Sequence, residues 1–138
     1  MSLLVPYQES LFPMYSSGLF LIPAIHSFQR KKYFHSGLLI ITSGISINYW
    51  RHASYGWRRN LDLTFSKLSF ITFILTKYAI FESSNDTWVT AHIKLSNIVN
   101  YFLLSNLLFE NNYPCWKYAH VMFHYFMTLE QWDIINSL

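Results

Sequence analysis

The stretch "YFHSGLLIITSGISINYW", residues 33 to 50, is 18 residues long and contains no Asp, Glu, Lys or Arg. The stretch before it, "SLFPMYSSGLFLIPAIHSFQ" at residues 10 to 29, lacks charge over 20 residues. A helix needs roughly 20 mostly apolar residues to cross the hydrocarbon core of a bilayer. Two charge-free stretches separated only by the basic residues 30 to 32 therefore predict a pair of membrane helices.

Three further apolar segments follow, and one or two charged residues interrupt each of them. The connections between the segments are short, which favours antiparallel neighbours in a compact bundle. The chain is therefore predicted to be all-α, a multi-pass transmembrane bundle of about five helices within one membrane domain, residues 1 to 138. The predicted helices span about residues 10–29, 33–50, 63–81, 88–109 and 115–132.

The composition agrees with a membrane protein. Hydrophobic residues make up 52% of the chain and charged residues only 12%, about half of the roughly 25% that is usual in soluble domains. The mean hydropathy of +0.19 keeps a buried, soluble all-α protein as the alternative. The net charge of +3 comes mostly from basic clusters at residues 30–32 and 51–59. Their position beside charge-free stretches favours contact with lipid headgroups over nucleic-acid binding.

The expected location is thus an integral membrane, either an endomembrane or a viral one, with membrane lipids as partners. Within a membrane, ionisable side chains are costly unless they find partners inside the bundle. The sequence "KYAHVMFHYF", residues 117 to 126, places His120 and His124 four residues apart. This spacing puts both imidazoles on one helix face, where they can share a metal ion or simply pack. A proton relay through His92, His120 and His124 is a further alternative.

A second polar pair comes from "SGISINYWRHASYGWRRNLDLTF", residues 43 to 65. Ser46 lies near the end of one predicted helix and Asp62 near the start of the next, so an antiparallel turn can bring them to the same depth. The competing interpretations are local ones. A serine in a membrane helix usually bonds to the carbonyl four residues earlier, and Arg58 lies one turn before Asp62 at a favourable spacing for an ion pair.

Ser46, Asp62 and "HVMFH" stand in the order that is typical of the alkaline ceramidase family and of the adiponectin-receptor-like membrane hydrolases, which the chain resembles. The stretch "ESLFPMYSSGLFLIPAI", residues 9 to 25, is also similar in type to the first helix of that family. The resemblance implies a zinc-dependent hydrolase that cleaves a lipid amide entering from the bilayer. It assigns His120 and His124 as zinc ligands, Asp62 as general base and Ser46 as hydrogen-bond donor to the oxyanion.

Two departures from the family pattern concern the third zinc ligand and the helix count. Trp50 stands one turn after Ser46, where the family has its third histidine. His52 is the candidate third ligand, although two residues turn a side chain by roughly 200° on a regular helix, and His92 is the other candidate. The family has seven helices, whereas five are predicted here. A non-catalytic membrane protein with a structural or interaction role is therefore the alternative function.

Overall fold

Five α-helices make up the computed structural model, which describes residues 3–84 and 86–138. The first helix contains a 3₁₀ turn at Gly18–Phe20 between two α-helical segments. No β-strand occurs in the described chain, so the prediction of an all-α protein with about five helices is confirmed. The helices are α1, Tyr7–Gln29; α2, Tyr33–Trp50; α3, Trp57–Ala79; α4, Trp88–Glu110; and α5, Trp116–Ser137.

Helix α3 differs most from the predicted bounds, because it begins at Trp57 rather than at residue 63. Gly56 precedes it with φ at 145°, a conformation that glycine adopts without steric cost. The first turn therefore includes Arg58 and Arg59. The sequence prediction placed both arginines in the loop before the helix. Asp62 consequently lies inside the helix, in its second turn, and not at its start.

Helices α1, α2, α3 and α5 contact one another in a ring, in which the contact between α3 and α5 is the smallest. Helix α1 packs against α2 and α5, α2 packs against α3, and α4 packs against α5. In the described part of the chain, α3 and α4 do not pack against each other along their lengths. They meet near the point where they are joined: Tyr78 stacks on Trp88, with ring centroids 6.0 Å apart, and also contacts His92. Farther along, α3, α4 and α5 together line a narrow apolar pocket.

Every helix contributes to the main hydrophobic core, which includes Phe20, Leu39, Phe73, Ile98 and Met127. Much of the interior, however, consists of small hydroxyl side chains. Buried Ser43 of α2 donates a hydrogen bond to the carbonyl oxygen of Ser17 in α1 at 2.8 Å, and buried Ser36 donates to that of Ala24 at 2.9 Å. The buried Ser and Thr residues are Ser10, Ser16, Ser17, Ser27, Ser36, Thr42, Ser43, Ser46, Ser54, Ser69, Ser105 and Thr128.

Large apolar side chains cover the outer surface. Tyr15, Phe34 and Val89 are each about 70% exposed, and Leu75 is 66% exposed. By length and composition, one described helix, α1, qualifies as a membrane span, and 39% of its most apolar 18-residue window is buried within the bundle. The rest of that window is half-buried or exposed. Among the described residues, many large apolar side chains are thus exposed, while buried polar side chains are as frequent as buried apolar ones.

Because α1 and α2 approach closely at Ser43, we expect that only a small side chain fits at this position. We expect Ser43→Leu to lower the free energy of unfolding by about 1–3 kcal/mol, because the larger side chain overpacks a fully buried interface. Thermal unfolding of the purified protein measures this effect.

Ile40→Leu is the matched control, since Ile40 lies on the same helix and is 50% exposed. Its unfolding temperature should equal that of the wild type. Equal unfolding temperatures for Ser43→Leu and the wild type would contradict tight packing at this interface.

Candidate functional site

The structure brings Ser46 and Asp62 together. Both side chains are buried, at 4% and 8% exposure, and the Ser46 hydroxyl donates a hydrogen bond to Oδ1 of Asp62. This bond joins the C-terminal half of α2 to the second turn of α3. Asp62 forms no ion pair with Arg58 in the described structure. The alternative prediction of an ion pair within α3 is therefore wrong.

His120 and His124 form an edge-to-face pair near the start of α5. Their ring centroids are 4.4 Å apart and the ring planes differ by 74°. Nδ1 of His124 lies 2.7 Å from the hydroxyl of Ser16 in α1, and Nδ1 of His120 lies 3.4 Å from the hydroxyl of Ser105 in α4. Both histidines therefore connect α5 to a neighbouring helix, as the packing interpretation expects.

One atom of this pair has no partner. Nε2 of His120 is buried, and no hydrogen-bonding group reaches it in the described structure. A buried polar atom without a partner costs roughly 1–3 kcal/mol. Such an atom is available to a ligand, to a water molecule or to a metal ion.

Trp50 shares α2 with Ser46 and contacts the histidine pair. It lies one turn after Ser46 on α2, and its ring centroid is 5.3 Å from that of His120 at an interplanar angle of 70°. On its other side it stacks on Trp116 at 6.0 Å. The residues Ser46, Trp50, Asp62, His120 and His124 thus belong to one end of the bundle, and we call them the histidine-end site.

The remaining candidate ligands lie elsewhere. His52 is exposed in the turn that follows α2. His92 is exposed near the start of α4, where Nδ1 is 2.6 Å from the carbonyl oxygen of Trp88. Because α4 and α5 are antiparallel, His92 lies at the opposite end of the bundle from His120. The proton relay would need these histidines to be neighbours, and their placement gives it no support.

A catalytic zinc ion needs three protein ligands and an open fourth position. Among the described residues there is no group of three or more His, Cys, Asp and Glu side chains arranged to hold a metal ion. His120 and His124 supply two candidate ligands, and the ring of Trp50, which stands in the sequence where the resemblance calls for the third, lies against that of His120. The histidine-end site therefore does not fit a three-ligand zinc centre, although the free Nε2 of His120 suits one of its ligands.

Sequence patterns did not indicate Ser16 and Ser105, the partners of the two histidines. Both are buried. In the sequence they are small polar residues within long apolar helices, and this is the feature by which they could have been found. No family model, curated protein or solved structure matches the chain. The resemblance to the ceramidase-like hydrolases consequently rests on the short sequence motifs.

The Ser46–Asp62 bond predicts a measurable coupling energy. We expect a double-mutant cycle with Ser46→Ala and Asp62→Ala to give about 1.5–3 kcal/mol, as is usual for a hydrogen bond to a charged group. The free energies of unfolding of the four proteins provide the measurement.

The hydroxyl pair Thr42 and Ser69 is the matched comparison, because it also joins α2 to α3, with 2.5 Å between its oxygen atoms. A neutral pair should give only about 0.5–1.5 kcal/mol. A coupling energy for Ser46 and Asp62 that does not exceed this value would mean that the aspartate is not bonded as an anion.

Proposed function

We propose that this chain is a multi-pass membrane protein. The observation that carries the proposal is the distribution of side chains: buried serines lie between the helices, and many large apolar residues are exposed on the outside. In a bilayer the helices gain nothing from burying leucine, so small residues that allow close contact and hydrogen bonding occupy the interfaces. Exposed large apolar side chains that form contiguous patches are typical of surfaces that contact lipid or another protein.

The outer face of α3 illustrates this point. Leu68, Ile71 and Leu75 follow one another at helical spacing and are 49%, 53% and 66% exposed. Lys67 is an exposed cation on the same helix. It lies within two turns of the polar residues that begin α3, so its flexible stem can carry the ammonium group to the membrane interface.

Extraction with alkaline carbonate tests the membrane proposal. The protein should remain in the membrane pellet, because its apolar surface leaves the bilayer only with detergent. Release into the supernatant, together with a peripheral marker protein, would contradict the proposal.

Within the membrane, the geometry of the histidine-end site supports a non-catalytic role best. The observation behind this choice is the contact of Trp50 with His120, because an indole ring stands where the resemblance calls for the third histidine. The indole nitrogen carries a proton and offers no lone pair to a metal ion. His120 and His124 then act as polar contacts between helices, through Ser105 and Ser16.

The second candidate is the lipid amide hydrolase that the resemblance implies, and the Ser46–Asp62 pair favours it. A buried carboxylate held by a hydroxyl is a suitable general base, and the same hydroxyl can turn to stabilise an oxyanion. This candidate needs zinc as cofactor, and the third ligand would have to come from His52 after a rearrangement of the turn that follows α2.

Zinc content distinguishes the two candidates. We expect the purified wild type to contain far less than one zinc ion per chain, and ceramide added to it should stay intact. One zinc ion per chain, lost in His52→Ala, would overturn the non-catalytic role and establish the hydrolase site.

Trp50→His provides a matched gain-of-binding variant. It removes the indole beside His120 and adds a third imidazole, so we expect its zinc content to rise toward one per chain. Adding His124→Ala to this variant should abolish the gain. No rise in zinc would mean that residue 50 does not occupy the position of the third ligand.

A further inference from the structure

A second polar cluster lies at the other end of the bundle, and neither candidate function uses it. Lys77 of α3 forms a buried ion pair with Glu130 of α5 and lies 3.7 Å from Asp86. Lys94 of α4 lies 2.7 Å from Asp86 and 3.2 Å from Asp133. We call these five residues the charged network.

The charged network lines a cavity of about 210 Å³ between α3, α4 and α5. Next to it, a narrow apolar pocket of about 20 Å³ shares Lys77, Glu130 and Ile134 with the cavity. The apolar pocket lies where α3 and α4 separate, and its walls are Phe70, Phe73, Ile74, Leu95, Ile98 and Met127. The charged cavity and the apolar pocket are therefore neighbours that share part of their walls.

The charges of the network are not balanced. Three carboxylates face two ammonium groups, which leaves an excess of one negative charge for a positive ligand group. Each lysine ammonium has three hydrogen-bond donors, and each contacts only two carboxylates. Both lysines thus keep one N–H group for an acceptor such as a phosphate oxygen.

A buried amide adds an independent observation. Oε1 of Gln131 is buried, has no hydrogen-bond partner and belongs to a side chain that lines the apolar pocket beside Glu130. This oxygen accepts hydrogen bonds but cannot donate them. It therefore lacks a donor, and a ligand with an N–H group provides one.

We propose that the charged network binds the headgroup of a zwitterionic phospholipid with a primary ammonium group. The carboxylates and Gln131 accept from the ammonium group, while Lys77 and Lys94 donate to the phosphate. The network lies at the bundle end where α1 is followed by the exposed basic residues 30–31, a position that matches the headgroup layer. The proposal rests on the membrane location.

Thermal unfolding in detergent, with short-chain phospholipids added, tests this site. Phosphatidylethanolamine should raise the unfolding temperature at lower concentration than phosphatidylcholine or phosphatidylglycerol. Choline has no N–H donor, and the glycerol headgroup has no ammonium. In Lys94→Gln, the concentration for half-maximal stabilisation by phosphatidylethanolamine should rise about tenfold, because one charge-assisted bond to phosphate is lost.

Lys67→Gln is the matched control, because Lys67 is an exposed lysine on α3 outside the network. It should keep the wild-type preference. Equal stabilisation by all three lipids, or an unchanged lipid response in Lys94→Gln, would contradict the headgroup site. The network would then only stabilise the contacts between α3, α4 and α5. If the protein stays in the carbonate pellet but shows no lipid preference, only the headgroup proposal is contradicted. If carbonate releases the protein, the membrane proposal is contradicted as well.

Discussion

Hydrogen bonds from small hydroxyl side chains between neighbouring helices are the interaction on which the rest of the structure depends. Ser43 and Ser36 tie α2 to the backbone of α1, and Thr42 ties it to Ser69 of α3. These contacts allow close helix packing without a large apolar interior. They also leave the large apolar side chains for the outer surface, which is the basis of the membrane proposal.

The two ends of the bundle carry different polar clusters. At one end, Ser46 is bonded to Asp62. The histidine pair at the same end contacts Trp50 and hydroxyl partners on α1 and α4. At the other end, lysines and carboxylates connect α3, α4 and α5. A narrow apolar pocket lined by α3, α4 and α5 lies beside the second cluster. Residues that are costly in a bilayer are thus grouped where partners or a ligand can meet them.

Two charge-free stretches and three apolar segments with few charges were enough to predict five helices, because each exceeds the length of a soluble strand and lacks helix-breaking clusters. They failed at Trp57, where Arg58 and Arg59 belong to the helix although they are too polar for an apolar segment. The order of Ser46 and Asp62 along an antiparallel turn indicated their proximity. The contacts of His124 with Ser16 and of Lys77 with Glu130 join residues 108 and 53 positions apart, and a single sequence has no signal for such pairs.

The central claim is that the exposed apolar side chains face lipid. Spin labels attached at Leu75→Cys and at Ser69→Cys, in a Cys115→Ser background and a reconstituted bilayer, test it directly. Leu75 is 66% exposed and Ser69 is 3% exposed. The label at residue 75 should collide often with oxygen, which concentrates in lipid, and rarely with a water-soluble nickel complex, while the label at residue 69 should be shielded from both. More frequent collisions with the nickel complex at residue 75 would contradict the claim.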